Sequence, residues 1–144
     1  MVREISAGAV IFRKEGKKIS YLLLHYHFKT DYWDFPKGKI ETGEDEEDTV
    51  LREIKEETAI DGVKIFPDFK EKVSYFYRKN GETVFKEVVF YLAETNEKDV
   101  KISHEHTGYE WVGYDTALKR LKENSKKVLV KANKFLSKNL TKWM

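Results

Sequence analysis

The sequence predicts a layered α/β domain of the α+β kind, a mixed β-sheet covered by helices. Three observations predict it. Apolar runs of strand length come in pairs joined by turn residues, one amphipathic helical segment separates the two pairs, and further helical segments close the chain. No repeat, low-complexity tract or proline-rich linker interrupts the 144 residues, so one domain over residues 1–144 is expected.

"ISAGAVIF" (5–12) and "YLLLHYHF" (21–28) are β-prone and flank "RKEGKKIS", whose glycine supplies a turn, so they read as a hairpin. "DEEDTVLREIKEETAI" (45–60) reads as a helix because Val50, Leu51, Ile54 and Thr58 recur at steps of three and four, forming one stripe to bury. "FKEKVSYFYR" (69–78) and "TVFKEVVFYLAE" (83–94) flank Asn80-Gly81, a strong hairpin turn. "YEWVGY" (109–114) is a further short strand after the histidine-rich "SHEHTG". "DTALKRLKEN" (115–124) is a short helix with Asp115 or Thr116 as its cap. The last helix carries Val128, Leu129, Ala132, Phe135, Leu136 and Leu140 on one stripe, with Lys127, Lys131, Lys134 and Lys138 off it and facing water.

Apolar residues make up 40% of the chain and aromatics 14%, enough for a packed core despite 36% charge. Cysteine is absent, which excludes disulfides and thiolate zinc sites. The apolar run near the N-terminus is too short to span a membrane, so a soluble, cytoplasmic protein with no membrane partner is expected. A net charge of +2 conceals an asymmetry: residues 118–144 hold nine basic side chains against Glu123, while 41–57 is dominated by acids. The basic tail reads as a solvated helix face, with an anion-facing surface as the alternative, and the acidic segment reads as a cation site.

Between Gly38 and Glu57 stand seven glutamates and two aspartates against three basic residues. On a helix, Glu53 lies one turn from both Glu56 and Glu57, and such like-charge pairs cost roughly 0.2 to 0.5 kcal/mol each. Glu56 and Glu57 also stand near the helix C-terminus, where the dipole disfavours acids. A solvated face relieved by Arg52 and Lys55 is one account; the other is a hard divalent cation such as Mg²⁺, held by these oxygens and by substrate phosphates. Upstream, "WDFPKGKIETGE" places Pro36, Gly38 and Gly43 in a fixed loop entering the helix, where backbone N–H groups, Lys37 and Lys39 suit phosphate.

Gly38, five residues, Glu44, seven residues, then Arg52-Glu53-Ile54-Lys55-Glu56-Glu57 and Ile60 resembles the Nudix hydrolase signature G-x5-E-x7-R-E-U-x-E-E-x-G-U, with Ala59 in place of the last glycine. The resemblance implies a Nudix-type α/β/α sandwich and Mg²⁺-dependent, or Mn²⁺-dependent, cleavage of a diphosphate. It implies Glu53, Glu56 and Glu57 as metal ligands, Glu53 or a glutamate outside the motif as general base, Arg52 orienting Glu53, and Glu44 holding Arg52. Alanine at position 59 raises the expectation that the helix runs one residue further or stops at Asp61-Gly62.

Most of the chain, including "YLLLHY", "FKEKVSY", the lysine of "FKEVVFYLAE" and "SHEHTGYEWV", is further similar to the asymmetrical diadenosine tetraphosphate hydrolases. That resemblance implies a dinucleoside polyphosphate substrate cut to ATP and AMP. It adds Glu105 to the metal site, Lys86 to the polyphosphate contacts, and Tyr75 with Phe135 as an adenine sandwich. Tyr77 shares a strand face with Tyr75 and joins the substrate contacts, with Lys37, Gly38 and Lys39. His104 and His106 lack a third ligand for zinc, and a phosphate-contacting or structural histidine is expected, His104 being counted with the substrate contacts. The signature is also compatible with nucleoside triphosphates, ADP-ribose or 5'-triphosphorylated RNA as substrate. A non-catalytic nucleotide-binding or RNA-binding module is disfavoured by the intact glutamates, and nucleic acid is not the expected partner. Nothing in the sequence speaks to the oligomeric state.

Overall fold

The computed structural model describes residues 1–28 and 30–140, except the side chains of Phe28 and Leu140; Leu140 of the apolar stripe and residues 141–144 of the basic tail therefore fall outside the described side chains. Among the described residues seven strands form one mixed sheet: β1 (Val2–Glu15), β2 (Lys18–Phe28), β3 (Thr30–Asp34), β4 (Lys37–Lys39), β5 (Lys64–Lys79), β6 (Glu82–Glu94) and β7 (His106–Val112). The helices are α1 (Glu46–Thr58), α2 (Tyr114–Arg120) and α3 (Glu123–Leu140). The sheet order is β3-β2-β1-β6-β5, with β4 paired to β1 and β7 to β2. Only β1 and β6 run parallel among these pairs, in register from Val2 opposite Val84 to Phe12 opposite Glu94.

Strand parity explains why the apolar runs are continuous rather than alternating. Val10, Phe12, Tyr21, Leu23, Val88, Phe90 and Leu92 pack on one face against Ala117, Leu121, Val128, Leu129, Ala132 and Leu136 of the C-terminal helices. Their neighbours Ala9, Ile11, Leu22, Leu24, Val89, Tyr91 and Ala93 pack on the other face against Val50 and Ile54 of α1 and against Ile60. A sheet buried on both faces needs apolar side chains at every position. The result is the predicted α/β/α sandwich, and no described helix is long and apolar enough to cross a membrane.

Several local expectations change. Two short strands, β3 and β4, were not predicted, and β7 starts at His106 rather than Tyr109. On α1 the buried positions are Thr49, Val50, Ile54, Glu57 and Thr58, while Leu51 is exposed. Leu51 stands about 100° round the helix from Val50, outside the face that meets the sheet. Neither Asp115 nor Thr116 caps α2, whose N-cap is Gly113 without a side-chain bond. The expected 115–124 helix ends at Arg120, and α3 begins at Glu123.

The ends of α1 are closed locally. Asp45 is its N-cap: its Oδ1 accepts from the Asp48 N–H (2.8 Å) while the Asp48 carboxylate accepts from the Asp45 N–H (3.1 Å). Glu46, Glu47 and Asp48 then occupy the first turn, at the positive end of the dipole. At the other end the helix neither runs on nor waits for Gly62. Ala59 itself adopts the left-handed conformation (φ 61°, ψ 17°), and its N–H donates to the Lys55 carbonyl. Thr58 supports the stop by donating to the Ile54 carbonyl and accepting from the Ile60 N–H, which leads the chain directly into buried Ile60.

Candidate active site between the acidic helix and the lysine loop

β4 and the loop after it lie against the N-terminal half of β1, with Ala7 opposite Gly38, and this pairing brings the lysine loop to α1. Gly38 is required there because a Cβ at that position would stand 2.0 to 2.6 Å from the Glu53 carboxylate. The glycine therefore lets an acid of the helix reach the loop backbone.

Arg52 organises the acids. Its Nε and Nη2 donate to the two Glu44 oxygens (2.7 and 3.0 Å), Nη1 donates to Glu53 (2.8 Å) and to Glu56 (3.2 Å), and Nη2 also reaches the Lys39 carbonyl (3.0 Å). Glu44 accepts further bonds from Thr49 Oγ1 and from the Glu41 N–H. The guanidinium, and then the Glu41 amide, hold the Glu44 carboxyl down to about 2. A planar fork gripped at both oxygens suits arginine and no other cation.

Glu53 and Glu57 form a paired, desolvated couple. Burial pushes both carboxyls up, and for Glu57 the hydrogen bond to Glu53 and the charges of Glu53 and Glu105 push further. Two carboxylates this close share a proton or need a cation. Glu57 also accepts from the Tyr26 hydroxyl (3.4 Å), and its Oε2 stands 3.6 Å from His106 Nε2. That imidazole nitrogen is buried without a hydrogen-bond partner among the described residues, and burial lowers the ring's pKa. Glu56 is exposed, and Glu105 and His104 stand exposed before β7. The histidine turned inward is thus His106, not His104.

Three lysines pair with other carboxylates, and the charge of Lys37 also reaches Glu57. Lys37 Nζ donates to Asp34 Oδ2 (2.6 Å). Lys39 (3.1 Å) and Lys86 (3.5 Å) both stand against Glu4, which also accepts from the Tyr77 hydroxyl. Burial lowers the Lys86 pKa, Glu4 raises it, and Lys37 and Lys39 lower it again, so the three ammonium groups share one neighbourhood. Tyr75 joins Tyr32, Lys37 and Asp34 around a cavity of 390 Å³. Phe135 does not line this cavity. It packs edge-on to Phe66 and Phe69 and lines a separate space with Lys14, Lys64 and Pro67, so the structure does not bring Tyr75 and Phe135 together as a sandwich.

The family model for the NUDIX domain matches residues 2–132. The chain belongs to the Nudix family. Relatives of this Nudix domain include the asymmetrical bis(5'-nucleosyl)-tetraphosphatase of Caenorhabditis elegans, 38% identical over 79% of this chain and 82% of the relative. The Rattus norvegicus protein of the same name is 33% identical over 91% and 94%. Among solved structures, a C. elegans Ap4A hydrolase binary complex matches with a TM-score of 0.82 and 36% identity, over 93% of this chain and 98% of that one.

Nudix hydrolases use divalent cations, and the donor set here fits one. Glu53 and Glu57 need positive charge to ionise together, and the ligands are hard oxygens. No group of three or more His, Asp or Glu side chains stands close enough together to hold an ion among the described residues. Asp34, Tyr26, His106 and Glu4 were missed as site residues in the sequence. Asp34 stood within the quoted loop motif, whereas Glu4 carried no signal.

Proposed function

We propose that this Nudix domain, a single domain over residues 1–144, hydrolyses diadenosine tetraphosphate to ATP and AMP by attack of water on phosphorus. The observation that carries the reading is the desolvated Glu53–Glu57 pair beside Lys37, whose ammonium shares a neighbourhood with those of Lys39 and Lys86, in a chain similar along nearly its whole length to relatives named asymmetrical tetraphosphatases.

Glu53, Glu56 and Glu57 would hold Mg²⁺, or Mn²⁺ in its place, with Glu105 approaching from the β7 side. Bound there, the cation supplies Lewis-acid activation of water and neutralises phosphate charge. The chain's own residues do the rest. Glu44 fixes Arg52, and Arg52 fixes the Glu53 carboxylate, which we assign as the base taking the proton of the attacking water. Lys37, Lys39 and Lys86 offset the charge of the phosphate chain and orient it. Tyr75 offers a ring face to a nucleobase in the cavity it lines. A cytoplasmic setting belongs to the same reading, supported by the absence of cysteine.

The test is incubation of the purified protein with diadenosine tetraphosphate and Mg²⁺, with chromatographic separation of products. ATP and AMP in equal amounts are expected. ADP as the sole product, or no turnover beside rapid turnover of another nucleoside diphosphate derivative, overturns the assignment. Comparing Glu53→Gln with Glu105→Gln tests the base: the larger loss of turnover is expected from Glu53.

A further inference from the structure

One buried carboxylate ties the lysine loop to a helix far away in sequence. Asp34 ends β3 almost fully buried, and both its oxygens are engaged. Oδ1 accepts from the Phe35 N–H (2.8 Å) and from Ser125 Oγ (2.7 Å), while Oδ2 accepts from Lys37 Nζ (2.6 Å). Phe35 lies between β3 and β4, and Lys37 opens β4; Ser125, itself buried, sits in the first turn of α3.

The turn between α2 and α3 is fastened to β3 at further points. Leu121 makes a parallel backbone bridge with Trp33. The Arg120 guanidinium lies 4.9 Å from the Trp33 ring centre, and the Lys122 ammonium 4.1 Å from that of Tyr32. Lys122, Glu123, Asn124 and Ser125 then line the 390 Å³ cavity with Lys37 and Tyr75. The cavity wall and the phosphate-facing lysine are therefore held by a common support.

Lysine is a point charge on a flexible stem, and an unrestrained ammonium loses rotamer freedom whenever it meets a ligand. A partner that holds it beforehand reduces that cost. We infer that Asp34 and Ser125 are positioning residues for polyphosphate recognition: Ser125 fixes the Asp34 carboxylate, Asp34 aims the Lys37 ammonium, and the seat of α3 thereby sets how Lys37 meets phosphate. This rests on the proposed function, in which Lys37 contacts the phosphate chain. The pair does not act on the reacting atoms. Its loss weakens binding of the phosphate chain while the chemical step, carried by the acids of α1, continues.

The test combines kinetics on diadenosine tetraphosphate with calorimetric titration of Mg-ATP, a product whose binding is read without turnover. Four variants are compared with the wild type: Ser125→Ala, Ser125→Thr, Lys37→Met and the Ser125→Ala/Lys37→Met double variant. Ser125→Ala is expected to raise KM, and Kd for Mg-ATP, by about five- to tenfold, roughly 1 to 1.4 kcal/mol, with kcat little changed. Ser125→Thr, which keeps the hydroxyl, restores both. In the Lys37→Met background, Ser125→Ala adds no further penalty, because its effect passes through Lys37. An unchanged KM and Kd in Ser125→Ala, or the same penalty with and without Lys37, overturns the inference while leaving the substrate reading intact. A wild type that neither binds Mg-ATP nor cleaves the dinucleotide overturns both.

Discussion

Replacing Ala59 with glycine should make the protein more stable. Ala59 holds φ 61° and ψ 17° at the C-cap of α1, a conformation that costs an L-residue about 1 to 2 kcal/mol because its Cβ crowds the carbonyl. Its side chain is exposed, so the substitution removes no core packing. Against the relief stands the extra entropy of a glycine in the unfolded chain, about 0.4 to 1 kcal/mol. The balance is a gain of about 0.8 kcal/mol, taking the middle of each range. Unfolding entropy of about 2.1 cal/mol/K per residue gives roughly 0.3 kcal/mol/K for a chain of this length, so Tm rises by about 3 °C. Ala59→Val should move Tm the other way, since a β-branched residue is still less suited to that region. The assay is thermal unfolding of the three proteins side by side in metal-free buffer, with urea titration as a check. A lower Tm for Ala59→Gly, or a tolerated valine, would refute the left-handed cap. Turnover should be preserved in Ala59→Gly, because the carboxylates lie upstream in the helix.

Three further outcomes are expected. Glu57→Gln should lower turnover by about two orders of magnitude or more while Tm stays level or rises, because glutamine keeps the uncharged form that burial and the Glu53 carboxyl already favour at this position; kinetics and melting curves on the same preparation decide it. Gly38→Ala should damage activity more than stability, since the new methyl would fall 2.0 Å from Glu53 Oε1 and displace that carboxylate, an overpacking cost of roughly 1 to 3 kcal/mol; kcat and Tm measured together separate the two. Glu4 has its carboxyl lowered to about 2 from 4.5, chiefly by the Tyr77 hydrogen bond, against burial and with help from Lys39 and Lys86. A depressed folded pKa contributes stability that is complete above pH 4.5 and is lost as pH falls towards 2. Wild type should therefore exceed Glu4→Gln in urea resistance at pH 6, and the gap should close towards pH 2.

The sequence by itself determined whatever depends on neighbours within one or two turns or one hairpin. The acidic helix was readable because Val50, Ile54 and Thr58 repeat at the helical period. The grip of Arg52 on Glu44 and Glu53 was implied by the resemblance to the Nudix signature and is closed inside one loop and one helix. The long strands were readable because their apolar runs are long enough to bury both faces of a sheet.

Tertiary structure decided the rest, because pairing between distant segments leaves little local trace. β3 and β4 are five and three residues long, and they are strands because β2 and β1 pair with them. Starting β7 at His106 turns that residue inward and leaves His104 on the exposed approach. Glu4 meets Lys86 only because β1 and β6 run parallel in register, and Asp34 meets Ser125 only because α3 folds back across the sheet. Phe135, legible as an apolar helix position, goes with Phe66 and Phe69 rather than Tyr75 because the packing of α3 against β5 chooses its neighbours. The acids proposed to hold the cation were named from the Nudix resemblance, whereas the groups that hold the lysines are set by strand register and helix packing.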